Sequence, residues 1–320
     1  MSDGAAAQPH EVVTAGEPMA LLLAEGQRPL RDADRFIRSV AGTESNVAIG
    51  LARLGHRVAF TGRIGTDAAG EWVRHALRAD GVDTGWLRDD PDHPTGLILR
   101  DYPAGRPVSV SYYRTNSAPS ALTPEDADPD LIAGCRVLFV TGITAMLSSS
   151  AARFVEHAVG LAREAGTHVV FDLNVRLRLG DGPDWRKILH RYAGWADTLL
   201  IGQDELEAIG EPADPRDFRT GGTRTVLLKR GAAGATVFAE NLMLESPART
   251  VPVVDPVGAG DAFATGWISG LLRALGPAEA LREAVLIASL AVAAATDTGG
   301  LPTAAERDRL LGAEGADVDR

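Results

Sequence analysis

RVLFVTGITAMLSSSAARFVEHAVGLAREAGTHVVFDLN, residues 136–174, holds two short apolar runs, RVLFVTG (136–142) and HVVFDLN (168–174), on either side of a segment with helical spacing, SSAARFVEHAVGLAREA (149–165). Strands joined by a crossover helix pair in parallel, so this stretch reads as one unit of a doubly wound sheet. Upstream the same rhythm gives strands EVVTAGE (11–17) and MALLLAE (19–25). A helix from Asn46 to Leu54 stops at Gly55, and strand VAFTGRIG (58–65) and helix GEWVRHALRA (70–79) follow. Downstream come strand ADTLLIG (196–202), helix DELEAI (204–209), strand TRTVLLKRG (223–231), a hairpin from ATVFAE and LMLE, and two long helices from Gly258 and Pro277. The fold class expected is α/β, a mainly parallel sheet flanked by helices.

The rhythm breaks once. TGLILR (95–100) and VSVSYYR (108–114) flank the turn-forming DYPAGRP, with period-two residues and no helix, which reads as a hairpin outside the main sheet. With MALLLAE and RFIRSV (35–40) it makes a small antiparallel β lid over the end of the core; the alternative is an edge extension of the main sheet. The expected organisation is one domain over residues 11–311, with lid segments at about 18–40 and 92–116 and flexible ends at 1–10 and 312–320.

The chain of 320 residues carries 32 Lys and Arg against 43 Asp and Glu, a formal charge of −11, which argues against nucleic acid or an anionic membrane as partner. The lone Cys135 opens an apolar run and reads as a buried, inert thiol. MSDGAAAQPH lacks the basic start and apolar stretch of a signal peptide, and VLIASLAVAAA from Val285 is too short to span a bilayer, so a cytoplasmic protein is expected.

The strongest chemical signal is VVDPVGAGDAFATGW (253–267), where a strand ends in Asp255 and a glycine-bearing turn leads directly into a helix. Gly258 and Gly260 permit close backbone approach, and the free N–H groups of a helix start suit a phosphate that gains charge during transfer. Asp261 on the same turn either caps the helix or takes a proton from a nucleophile.

This run resembles the C-terminal signature of the ribokinase-like (PfkB) sugar kinases. The resemblance implies that Asp261 is the general base, that the N–H groups of Gly258, Ala259 and Gly260 hold the transferred phosphoryl group, and that the Asp255 loop meets a monovalent cation such as K⁺, with Pro256 in place of the usual Thr. A second stretch, AGTESNVAIGLARLGHRVAFTGRIGTDAAGEWV (41–73), is similar to the family's sugar-binding start and implies contacts from Gly42 and Asn46. Without it Asn46 reads as a helix-start residue, and Gly65 and Asp67 as turn and cap. VLLKRGAAGATVF (226–238) resembles the nucleotide side, implying ATP contacts from Lys229, Gly231, Gly234, Gly258 and Gly260; Lys229 is one of two lysines among the 32 basic residues. In GQDE (202–205) Glu205 matches the acidic residue of the family's Mg²⁺-associated motif, in the outer shell, while Gly202 replaces its Asn and Asp204 competes as N-cap.

Within the family, GEPMA (16–20), HPTGLILR (93–100), SYYRTNSAPSAL (111–122) and FDLNVRLRL (171–179) are similar to 2-keto-3-deoxygluconate kinases, and the resemblance spans roughly residues 11–305. It implies that Tyr112, Arg114 and Arg176 contact the sugar acid, the arginine forks taking its carboxylate; each alone reads equally as a surface charge. Ile98 stands where these kinases often carry a tyrosine. The partners expected are ATP, Mg²⁺, a small-molecule sugar acid and a second copy through the lid. A neutral-sugar kinase of the ribokinase or fructokinase kind, or a sensor without turnover, are the rivals.

Overall fold

The computed structural model describes residues 9–103, 105, 106, 108–211 and 213–313; most of the two expected flexible ends, 1–8 and 314–320, lies outside the described residues, as do positions 104 and 107 of the expected lid. β1 (Val12–Gly16) is followed at once by β2 (Met19–Ala24) and then β3 (Phe36–Ala41). After α1 (Thr43–Arg53) come β4 (Val58–Gly65), α2 (Ala68–Ala79), β5 (Leu87–Asp90), β6 (Gly96–Arg100) and β7 (Val110–Tyr113). α3 (Pro129–Ala133), β8 (Val137–Thr141), α4 (Gly142–Leu147), α5 (Ser149–Ala165) and β9 (His168–Asp172) follow, then α6 (Gly182–Ala193), β10 (Thr198–Gly202), α7 (Gln203–Ile209) and β11 (Thr225–Lys229). Next are the hairpin β12 (Ala235–Ala239) and β13 (Leu242–Ser246) and the helices α8 (Ala259–Leu272), α9 (Pro277–Ala291) and α10 (Ala304–Ala313).

The main sheet runs β13-β12-β11-β10-β9-β8-β1-β4-β5 and is parallel except where β12 and β13 turn back. Alternation along each strand feeds two cores. Val137 and Phe139 of β8 face α1, α2, α8 and α9, whereas Leu138 and Val140 face α3 to α7. β1 pairs with β4 on one side and β8 on the other, so the winding reverses there. Ligands of open α/β sheets bind beyond the carboxyl ends of the strands at such a reversal. Those ends carry Gly16, Thr141, Asp172, Gly202 and Lys229.

The stretch that breaks the rhythm forms its own sheet, β3-β2-β6-β7, and is not an extension of the main one. Its outer pairs are antiparallel, while β2 and β6 run parallel because each arrives directly from a main-sheet strand, β1 and β5. Met19, Leu21, Ala41 and Ile98 are buried beneath it, and Phe36, Ile37 and Tyr113 remain exposed on the outside.

α8 is buried almost all round, as its uniformly apolar sequence requires. It lies so close to α9 that a methyl group on Gly266 would stand 2.5 Å from the Ala284 Cα, and one on Gly270 would stand 2.6 Å from the Ala280 Cβ. Gly266→Ala is therefore expected to destabilise the fold by about 1–3 kcal/mol, the usual cost of overpacking. Urea unfolding should show a lower midpoint at unchanged slope; an unchanged midpoint would mean the two helices can part without loss.

Candidate active site

Gly258 is the N-cap of α8 at φ 84°, a left-handed conformation that glycine adopts without strain, and a methyl there would stand 3.0 Å from the Asp297 Cα. The amides of Ala259, Gly260 and Asp261 open the helix, where N–H groups have no intrahelical acceptor and the helix dipole favours an anion. Gly260 differs from Gly258: the nearest atom to a methyl at its Cα would be Lys229 Nζ, 3.6 Å away, so folding alone does not demand glycine there. Asp261, 7% exposed, accepts a hydrogen bond of 2.7 Å from Asn46 Nδ2 across the interface of α8 with α1. Burial raises its pKa and the Asn46 bond opposes the rise, while the neighbouring charge of Asp297 adds to it. Asn46 is not at the start of its helix; α1 begins three residues earlier, at Thr43 after Gly42, which leaves the Asn46 side chain free for Asp261.

Asp261 and Asn46 line a cleft together with Gly42, Tyr112, Arg114 and Arg176. Gly42 has φ 111°, and its Cα packs against the Glu17 carbonyl so closely that no side chain fits. Tyr112 turns inward beside Ile98, its cross-strand partner, while Tyr113 points out and is 60% exposed. Arg114 is clamped by buried Glu17 and lies over the Tyr112 ring, 5.3 Å from its centre. Arg176 donates only to the Val175 carbonyl, at 2.9 Å, and has no salt-bridge partner among the described residues.

On the nucleotide side of the sequence reading, Lys229 ends β11 with its Nζ 2.8 Å from Asp172 Oδ1 and 3.6 Å from Glu205 Oε1. Burial works against its charge, but the two carboxylates outweigh burial and push its pKa up. Glu205 Oε2 accepts from the Gly202 amide at 2.8 Å, so Glu205 rather than Asp204 serves the start of α7. Gly231, at φ 53°, has open space over its Cα, whereas Gly234, at φ 88°, is pressed against the Ser246 carbonyl, a reason in folding for the glycine. Asp255 does not face an open loop: the Arg100 guanidinium stands beside it, at 3.5 Å. Asp67 is the cap of α2, accepting from Gly70 N at 2.8 Å, and Cys135 is buried, its thiol pushed up to about 11 by desolvation.

Four charged cleft residues escaped the sequence reading: Glu17, Glu44, Arg100 and Asp297. Strand alternation could have found Arg100, which shares a face of β6 with Ile98. Glu17, at the end of the first strand reading, and Glu44, on the opening turn of α1, stand beside positions already singled out. Asp297 carries no local signal; its role is set by Asn46, Arg100 and Gly258, all distant in sequence.

The profile of the pfkB family carbohydrate kinases matches residues 10–304. The 2-dehydro-3-deoxygluconokinase of Bacillus subtilis (strain 168) is 36% identical over 315 residues, covering 95% of this chain and 96% of that protein. A crystal structure of 2-dehydro-3-deoxygluconokinase from Thermotoga maritima superposes with a TM-score of 0.88 at 25% identity, covering 95% of this chain and 98% of that one. An E. coli structure described as ribokinase II, in complex with ATP and Mg²⁺, superposes at 0.85 and 25% identity, covering 95% and 99%. No helix among the described residues is long and apolar enough to cross a membrane.

Glu44 forms part of the cleft wall and is 1% exposed. Its Oε1 accepts from Thr141 Oγ1 at 2.6 Å and Thr144 Oγ1 at 2.7 Å, yet burial prevails and lifts its pKa from 4.5 to about 7. Between those values the folded chain keeps a proton that the unfolded chain has released. The stabilisation from that proton is complete below pH 4.5 and is lost as pH rises to about 7. A shift of this size corresponds to about 3 kcal/mol. Glu44→Gln is expected to remove the dependence, so that between pH 4.5 and 8 the urea midpoint of the wild type falls relative to the variant; parallel profiles would refute the buried, proton-holding carboxyl.

Proposed function

The chain belongs to the pfkB family of carbohydrate kinases, and on that footing we propose that it transfers the γ-phosphoryl group of ATP to the terminal hydroxyl of 2-keto-3-deoxygluconate. The observation that carries this reading is one cleft holding a buried carboxylate at a helix start together with two arginines, Arg114 and Arg176. An anionic acceptor has to find a local cation in a chain of net charge −11, and in this cleft, where Glu17 neutralises Arg114, that cation is Arg176.

Asp261 is the general base. Its Oδ2 is held by Asn46, which leaves Oδ1 to take the proton of the attacking hydroxyl, and burial raises its affinity for that proton. The amides of Gly258, Ala259 and Gly260 receive the oxygens of the group in transfer, and Lys229, kept charged by Asp172 and Glu205, stands beside the same turn. Phosphoryl transfer asks the protein mainly for positioning and charge stabilisation, and a turn fixed by a buried helix meets that demand. Mg²⁺ entering with ATP would supply charge neutralisation at the phosphate oxygens. Glu205 is committed to the Gly202 amide, so it would act on the ion from the outer shell.

The two arginines divide the work on the acid. Arg114 is already neutralised by Glu17, so it orients the Tyr112 ring and the lid, whereas Arg176 is the cation free to pair with the substrate carboxylate. Ile98 presents an apolar wall where a tyrosine hydroxyl would otherwise bind, which shortens the list of polar contacts to the sugar.

Asp261→Asn is expected to lower turnover by roughly a hundredfold to ten-thousandfold with ATP binding near normal; near-normal turnover in a coupled ADP-release assay would remove the base from Asp261. Arg176→Leu is expected to raise KM for 2-keto-3-deoxygluconate by about an order of magnitude or more, the value of a charge-assisted contact, and to leave any residual turnover of a neutral hexose unchanged. Equal losses on both sugars would make Arg176 structural.

A further inference from the structure

Arg100 reaches from the last residue of β6 into the protein and is 2% exposed. Its Nη1 lies 2.6 Å from Asp297 Oδ1 and its Nη2 3.5 Å from Asp255 Oδ2, ion pairs in which neither oxygen accepts a hydrogen bond, and Nη2 donates to the Ala295 carbonyl at 3.3 Å. These partners belong to the two segments that bracket the glycine turn. The segments are already joined, since the amides of Val254 and Asp255 both donate to the Val292 carbonyl, and Asp255 Oδ1 takes the Val257 amide at 2.9 Å. Asp297 in turn lies beneath Gly258 and within 3.4 Å of Asn46 Nδ2, the group that holds Asp261. Three buried carboxylates, Asp255, Asp261 and Asp297, thus gather behind the turn, and the guanidinium is the cation that touches two of them.

The family resemblance led to the expectation of a monovalent cation at the Asp255 loop. The residues present do not suit one. The oxygens that would attract it, the Asp255 carboxylate and the 295 carbonyl, face a fixed positive charge, and a second cation brought against a guanidinium in a water-poor interior is repelled. We propose that Arg100 is a built-in replacement for that cation: it holds the Asp255 and Asp297 segments in place for the turn, so the protein works without K⁺. Arg100 is a positioning residue and touches no reacting atom. Because it is anchored in the lid sheet, the same contact ties the lid to the turn.

The experiment needs neither sugar nor ATP for its first readout, so its failure is separable from an error in the acceptor. The melting temperature of the free protein, and then its turnover, are measured in KCl, NaCl and choline chloride at one ionic strength. For the wild type both should be the same in all three salts. Arg100→Ala should melt at a lower temperature in choline chloride and regain stability in KCl, and its turnover, about tenfold or more below wild type in choline, should recover with K⁺. Arg100→Lys, which keeps a charge, should remain insensitive to K⁺. A rise in the wild-type melting temperature or turnover specific to K⁺ would overturn the proposal. So would an Arg100→Ala protein that folds and turns over normally without K⁺, or one whose loss K⁺ does not restore. If Arg100→Ala does not fold in any salt, the wild-type and Arg100→Lys titrations decide the matter.

Discussion

A carboxylate buried at the first turn of a buried helix constrains everything around it. Asp261 cannot be left there without partners, because an uncompensated buried charge is among the most expensive things a fold can contain. α1 must therefore approach α8 closely enough for Asn46 to reach it, and α1 is placed by the strands it connects, β3 of the lid and β4 of the main sheet. α8 itself can lie so deep only because its glycines admit α9. The lid, the sheet and the helix pair are in this sense built around one hydrogen bond of 2.7 Å.

The charges in the cleft follow the same rule. Glu17 is answered by Arg114, Asp172 and Glu205 by Lys229, and Asp255 with Asp297 by Arg100. Buried ion pairs of this kind contribute little net stability, and their retention is better explained by the geometry they impose. The pairing leaves Arg176 as the cleft cation with no salt bridge among the described residues, its charge acting at longer range on Asp172, Glu205 and Asp261, and the substrate carboxylate is proposed to pair with it.

Much of this could be read from the chain, and the reasons for the rest are physical. The parallel sheet was legible because its central strands are continuous apolar runs split by amphipathic helices, as in residues 136–174. The glycine turn was legible as an anion site because it leads a strand directly into a helix, but the turn alone left Asp261 open between cap and base, and only the resemblance to the ribokinase-like kinases implied the base. β5 was missed since LRDD is an edge strand with charged residues on its exposed positions, where neither alternation nor β propensity speaks. α6 was missed although Trp185, Leu189 and Tyr192 hold a helical spacing, because Gly182, Pro183 and its many polar residues resemble a loop. Asp297 was invisible for a different reason: its partner Arg100 lies 197 positions away, and what makes the pair part of the site is the sheet topology that joins them.

A cleft that phosphorylates the terminal hydroxyl of a sugar acid, as proposed, leaves a product that identifies both the acceptor and the hydroxyl. The most direct measurement is a phosphorus–proton correlation spectrum of the product formed from ATP, Mg²⁺ and 2-keto-3-deoxygluconate, run beside ribose and fructose. The expected product is a phosphomonoester whose phosphorus couples to the C6 methylene protons of the acid, with the neutral sugars left unphosphorylated. Phosphate on a neutral sugar with the acid untouched, or on another hydroxyl of the acid, would contradict the proposed function.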